Sequence, residues 1–485
     1  MDQEKDFTEQ YNAGHNQILH EWVVSDFDTP VSAYLKLTNN EDYSFLFESV
    51  EGGEKLGRYT IIGYDPDIIW TCDDYRHVKK NPLDELRALL KTSRIDLPSD
   101  ADLPPMAASG LFGYMGYDMI RLVEKIPDTN PDTLNIPDSI FVRPQVLVVF
   151  DNIKHKICVI VPVYFQETIT AEDALYQAKE KLELAITKIR GNLDAPTHIS
   201  QYTALPAPQF QMTKAQYFEM VEKGKEYIRA GDIFQFVPSQ RFVVDFDLPA
   251  FDLYRALRRT NPSPFLFFIR FPEFSLVGSS PEILVRVRDG EVTIRPIAGT
   301  RPRGKNHAHD IELKEDLLND PKEIAEHLML LDLGRNDVGK VSKIGSVNVT
   351  EQFIIEYYSH VMHIVSNVTG KLRDDLDALD ALMSGSPAGT VSGAPKIRAM
   401  EIIDELEPIK RKFYGGGVGY LASNSNIDTC IALRTCVVKD GKIHLQAGGG
   451  VVVDSVPENE FQESINKSKA ILRAAEEAIL GSRKN

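Results

Sequence analysis

Cysteine is scarce, with only Cys72, Cys158, Cys430 and Cys436 in a chain of 485 residues. No two form a C-x-x-C pair and four are too few to staple a chain of this size, so the thiols read as reduced and buried. An unbroken run of 18 apolar residues is also missing, which excludes a bilayer-spanning helix. The N-terminus MDQEKDFTEQ has neither the cationic start nor the apolar stretch of a secretory signal, so a cytoplasmic enzyme without a membrane partner is expected. Positive charge is in deficit, since 54 Lys and Arg against 71 Asp and Glu give a formal charge of −17. That balance opposes binding to nucleic acid or acidic membranes, and an anionic ligand must be met by a local cationic cluster or a metal. Internal repeats and low-complexity tracts are absent as well.

What is present describes a globular protein, 43% hydrophobic and 26% charged. Its length fits roughly two to four domain-sized units. Residues 20–190 form an N-terminal part in which short β-like runs alternate with Gly, Pro and Asp turns; a hairpin is predicted at Asp151-Asn152 and a helix over 171–190. The proline-rich stretch 191–212 reads as a linker. Residues 213–478 follow, beginning with a helix from Thr213 that a glycine, Gly231, stops before a strand.

The stretch Pro296 to Asp337 carries the loop PIAGTRPRG and then a well-signalled helix, with Asp320 as N-cap, Pro321 at its first position, Glu323 in a capping box and Gly334 as its stop. Ile324, Leu328 and Leu331 make its core stripe. Glu323 and Glu326 lie off that stripe. A second helix, PENEFQESINKSKAILRAAEEAIL, buries Phe461, Ile465 and Leu472 and gathers Glu460, Glu463 and Lys467 on another face. Two readings stay open: solvated acidic first turns, or one Mg²⁺ shared by Glu326 and Glu463. The segment GTVSGAPK exposes backbone N–H groups at a helix start without being a P-loop, since no Lys follows its second glycine. The glycines of FYGGGVGY and HLQAGGGVVVD fit close ligand approach and tight sheet packing equally well. Arg434, inside the apolar run TCIALRTCVV, needs an anionic partner and is expected to face a ligand carboxylate. Glu282 in GSSPEIL reads either as a carboxyl held protonated as a general acid or as a surface turn residue. His360 and His363 lack the HExxH pattern and further ligands, so a zinc site is rejected, and His363 alone reads as a core histidine.

Taken in order, FQFVPSQRF, GSSPE, PIAGTRPRG, EHLMLLDLGRND, VMHIV, GTVSGAPK, YGGGVGY, DTCIALRT and QAGGGVV make the chain from about Thr213 to Ala475 resemble the chorismate-utilising enzymes. Within that group it is most similar to the component I subunits of anthranilate synthases, whose N-terminal part residues 20–170 also resemble. The resemblance implies an α/β (α+β) fold in which two antiparallel β-sheets pack as a sandwich flanked by helices, with the N-terminal part interwoven. It also implies Mg²⁺ on Glu326 and Glu463, with Glu323 and Glu460 acting through waters. Chorismate would contact Gly299, Thr300, Tyr414, Arg434, Gly448, Gly449, Gly450 and Lys467, with Thr390 nearby. Glu282 becomes the acid for the departing ring hydroxyl, and His363 is linked to the loss of pyruvate.

Two positions separate the branches of the family. Isochorismate- and salicylate-forming relatives use a lysine to activate water where this chain has Gln235, which is no base at neutral pH. The 4-amino-4-deoxychorismate branch carries a lysine in the loop where Ala298 stands, leaving direct addition of ammonia. No glutaminase segment with a nucleophilic Cys is found, so the resemblance implies a separate glutamine amidotransferase, component II, as partner. Glu48-Ser49 and Asn261 to Phe267, which includes Pro264, Phe265 and Leu266, are similar to the segments of a tryptophan feedback site, with Phe265 and Leu266 in place of the usual Tyr and Met. The other readings are an aminodeoxychorismate synthase component I and a non-catalytic tryptophan-sensing subunit; the latter would show damaged acidic pairs or a lost Glu282, and neither is seen.

Overall fold

The computed structural model describes residues 3–24, 27–51, 55–97, 102–194, 197–358 and 361–483; His360 and linker residues 195–196 lie outside them. Two long antiparallel strands organise the chain. Lys55–Cys72 and Ser139–Asp151 pair from Tyr59↔Asp151 to Cys72↔Ser139. The first half of Lys55–Cys72 also pairs with Ser44–Glu51, and that wing continues through Phe265–Arg270, Ser275–Ser280, Thr435–Lys439 and Lys442–Gly448 to Ser239–Asp245. The start of Ser139–Asp151 pairs with Gly110–Met115, which opens a second wing through Gly417–Ala422, Ile427–Ile431, Ile283–Arg288 and Glu291–Ile294 to Val361–Lys371.

A mixed α/β architecture with antiparallel pairing was expected and is found, but the two layers are not separate sheets. Among the described residues, nineteen strands form one continuous sheet. The physical reason lies in the length of the organising pair, 18 and 13 residues, which lets each strand serve both layers. A register shift between Pro66 and Ile68 lets the ribbon bend from one layer to the other. Phe45, Phe112, Tyr114, Phe267 and Tyr414 fill the space between the layers. Outside them, the helices Ala171–Arg190, Ala250–Thr260 and Pro457–Ser482 bury apolar faces in a second core with Phe242 and Phe268.

The hairpin at Asp151 closes as expected, and Thr213 and Gly231 cap the helix Lys214–Ala230. The acidic helix differs from expectation. It runs from Pro321 to Val341, through Gly334, which is buried in mid-helix. A glycine in the helical region stops nothing by itself, and a methyl there would meet Ile294 and Pro296 at 3.6 and 3.8 Å. The buried stripe is also rotated: His327, Leu330, Leu331 and Val338 face inward, whereas Leu328 is 44% exposed. All four cysteines are buried free thiols. No described helix is long and apolar enough to cross a membrane.

Candidate active site

A cavity of about 560 Å³ opens where the two acidic helices meet both wings of the sheet. Glu282, His363, Gln235, Thr390, Gly299, Thr300, Tyr414, Arg434, Gly448, Gly450, Lys467, Glu323, Glu326, Glu460 and Glu463 all line it. Gly449 sits directly beside the carboxylates, where a Cβ would fall 3.1 Å from Glu463 Oε1 and 3.2 Å from Glu460 Oε2.

Each side chain is placed by a local device. Asp320 caps the Pro321–Val341 helix by accepting from the N–H groups of Lys322 and Glu323, which fixes the first turn and sets Glu323 and Glu326 on the cavity side. The strand Ile297–Pro302 bulges between Ala298 and Thr300. Gly299 occupies the bulge at φ +77°, where a side chain would be strained and would also press on Ile364. The bulge brings Thr300 opposite His363, whose Nδ1 lies 2.9 Å from Thr300 Oγ1 and 3.3 Å from the Gly299 carbonyl oxygen. Burial and the nearby positive charge of Arg434 hold His363 down at about 4, so its imidazole is neutral at physiological pH.

Glu282 follows the strand Ser275–Ser280 and is 6% exposed. Thr390 Oγ1 donates to its carboxyl at 3.2 Å. Burial nonetheless pushes it up to about 8, so near neutrality it keeps its proton. Of the two sequence readings, the buried acid is the one the structure contains. Arg434 has a left-handed backbone, φ +48°, and its guanidinium makes no ion pair among the described residues. An unpaired cation on the wall of a desolvated cavity is a receptor for an anionic group. The Tyr414 hydroxyl is buried beside Gly448, and Lys467 Nζ donates to the Gly448 carbonyl at 3.0 Å. Gln235 enters through a two-residue strand paired with Gly393-Ala394. It lies across Gly450, where a Cβ would fall 2.1 Å from its Nε2, and it donates to Glu326 Oε1 at 3.2 Å.

The acidic side chains are poised for a cation. Glu326 is held above its ordinary value by burial and then by Glu323, with Glu463 also contributing; Glu460 is raised by burial and by Glu463. Oε2 of Glu460 is buried with no hydrogen-bond partner. Lys467 reaches Glu463 at 2.7 Å but is nearly half exposed, so it neutralises little of this cluster. Among the described residues no three His, Cys, Asp or Glu side chains converge closely enough to hold an ion alone. The buried, unpartnered oxygen of Glu460 beside further carboxylates is compatible with a hard cation such as Mg²⁺, which takes one or two carboxylates and keeps waters for the remainder. The sequence reading missed Lys322 and Asn466, which also line the cavity. Their signal was adjacency, Lys322 beside Glu323 and Asn466 beside Lys467.

The sequence profile of the chorismate binding enzymes matches residues 42–473. The chain belongs to that family. Anthranilate synthase component 1 of Cereibacter sphaeroides is 54% identical over 99% of this chain and 98% of its own length. The crystal structure of anthranilate synthase component I from Streptococcus pneumoniae superposes with a TM-score of 0.76 at 36% identity, covering 93% of this chain and 99% of that one. MenF, the menaquinone-specific isochorismate synthase of Escherichia coli, shares the fold, with a TM-score of 0.72 at 20% identity over 95% of both chains.

This member of the chorismate binding family has a second cavity, of about 450 Å³, between the two wings. Ser49 and Phe265, paired in register, line it with Phe47, Tyr59 and Tyr420. Glu48 and Leu266 also line it, with side chains that make contacts on the other face of their strands. Glu48 accepts from the Tyr254 hydroxyl at 2.5 Å and from Arg258 Nε at 2.6 Å on the helix-covered side, and Leu266 packs in the core there. Pro264 does not reach the wall.

Proposed function

We propose that the chain is the anthranilate-forming component I of a cytoplasmic, tryptophan-pathway anthranilate synthase, with residues 213–478 catalytic, 191–212 a linker and 20–190 regulatory. One observation carries this reading: both carboxylate pairs, the protonated Glu282 and the unpaired Arg434 converge on one cavity in a chain alike end to end to anthranilate synthase component 1.

Chorismate, a dianion, meets positive charge from Arg434 and Lys467 despite the net charge of −17. Mg²⁺ held by Glu326 and Glu463 would supply a further charge for the substrate's ring carboxylate. Glu282 gives its proton to the ring hydroxyl, which leaves as water, while ammonia bonds to the ring carbon next to the one bearing the carboxylate. The added nitrogen sheds its extra proton. Loss of the ring hydrogen at that carbon then expels the enolpyruvyl group as pyruvate and yields the aromatic amine, with neutral His363 positioned for this step. Chorismate and ammonia thus give anthranilate, pyruvate and water. The amide of Gln235 cannot deprotonate a water, and Ala298 has no amine to attack the ring; both favour ammonia as the nucleophile and disfavour the 4-amino product. Ammonia is mostly protonated near neutral pH, which makes delivery by a glutaminase partner, component II, chemically sensible. Tryptophan is assigned to the second cavity, supported by its aromatic walls.

Purified chain with chorismate, Mg²⁺ and an ammonium salt at mildly alkaline pH should release fluorescent anthranilate, and omission of Mg²⁺ should stop it. A product that turns aromatic only after addition of a lyase would move the assignment to the 4-amino branch.

A further inference from the structure

Beneath the loop that lines the active cavity sits an imidazole for which the chemistry above has no use. His327 is fully buried, one residue from Glu326 and one turn from Glu323. Its Nε2 lies 2.7 Å from Ser366 Oγ, on the strand that carries His363, and its ring packs against Phe353. Ser366 Oγ already accepts the backbone N–H of Phe353 at 3.1 Å, so its own hydrogen is free to donate to Nε2. With Ser366 as that donor, a neutral imidazole carries its one ring hydrogen on Nδ1. Nδ1 is buried with no hydrogen-bond partner, and the Ala298 backbone, on the neighbouring strand, favours a hydrogen on this ring. A buried donor left open in this way gains from a small approach of the loop. Little slack separates the two elements, since a Cβ on Gly299 would lie 3.3 Å from Glu323 Oε2.

We propose that His327 is a positioning residue: its Nδ1–H takes the Ala298 carbonyl as the strand Ile297–Pro302 settles on substrate, locking Gly299 and Thr300 against the helix that carries Glu323 and Glu326. This rests on the chorismate reading above. His327 touches no substrate and acts through the backbone of the loop.

Two amide substitutions separate the arms of the imidazole. His327→Gln places an amide near Ser366 and gives up the donor at Nδ1; His327→Asn keeps a donor towards Ala298 and gives up Ser366. The expected result in steady-state kinetics with ammonium and Mg²⁺ is a loss in kcat/KM for chorismate of about 10- to 100-fold for His327→Gln, shared between kcat and KM, with most of it restored in His327→Asn. A purely structural role predicts the reverse order, because the Ser366 contact is the bond already made. Thermal melting run in parallel reads the fold of each variant. His327→Gln matching or exceeding His327→Asn would overturn the proposal, as would both failing to fold. Wild-type protein that does not turn over chorismate would instead count against the functional reading.

Discussion

The two cavities share no lining residue and differ in how their charges are arranged. In the active cavity Arg434 lacks an ion pair among the described residues, Oε2 of Glu460 lacks a donor, and Glu323 and Glu463 both raise the affinity of Glu326 for a proton. Around the second cavity each arginine has an acidic partner, with Arg286 and Arg288 both on Asp428 at 3.1 Å and Arg258 on Glu48, although Oε1 of Glu48 and Oδ1 of Asp428 accept no hydrogen bond. Unpaired groups in a desolvated pocket are unstable until a ligand completes them, and are available to act on it. Self-paired charges around aromatic walls hold a shape. The first arrangement suits chemistry and the second suits binding alone.

The contrast can be broken most severely at Glu282. Glu282→Gln keeps the shape and removes the transferable proton, and kcat should fall about 10³-fold with Mg²⁺-dependent chorismate binding kept. In the wild type the acid is needed protonated, so its contribution to kcat should decline as pH rises through about 8; retained turnover in the variant would remove Glu282 from the mechanism. At the second cavity, Phe265→Ala removes apolar wall and should weaken tryptophan by about 1.5 kcal/mol, roughly 10-fold, read by calorimetry as the affinity for tryptophan. No tryptophan heat in the wild type would end the effector assignment. The effect on stability is absent at neutral pH and appears only on acidification. His327, His363 and His444 are each held at about 4 by burial, against an unfolded value near 6.5. A depressed value means the unfolded chain binds the proton first. The melting temperature should therefore drop as pH falls from about 6.5 towards 4, and a flat profile there would show these rings to be solvated.

Much of the site was legible because its signals are local. Asp320-Pro321 and the i, i+3 glutamates declare the acidic helix, and the Glu460, Glu463 and Lys467 face declares the other. Their convergence could be read from the helices only as one of two alternatives, and the resemblance favoured it, since nothing in either helix singles out a partner on the other. The facing of Glu48 and Leu266 was missed because these strands are buried on both sides, and apolar residues then occupy both faces without a period of two. The joining of the two layers was hidden for a related reason: it depends on two strands long enough to pair twice, which composition does not reveal. His327 carried no local signal at all, because its partner Ser366 and the loop residue Ala298 come from strands remote in sequence.

The central claim is that carboxylates from two distant helices share one cation. Titration of Mg²⁺ into the wild type, Glu326→Gln, Glu463→Gln and the double variant tests it directly. One shared site predicts that each single change weakens Mg²⁺ by at least about 100-fold and that the double variant is little worse than either single one. Free-energy losses that simply add, or Mg²⁺ binding untouched by either change, would contradict it.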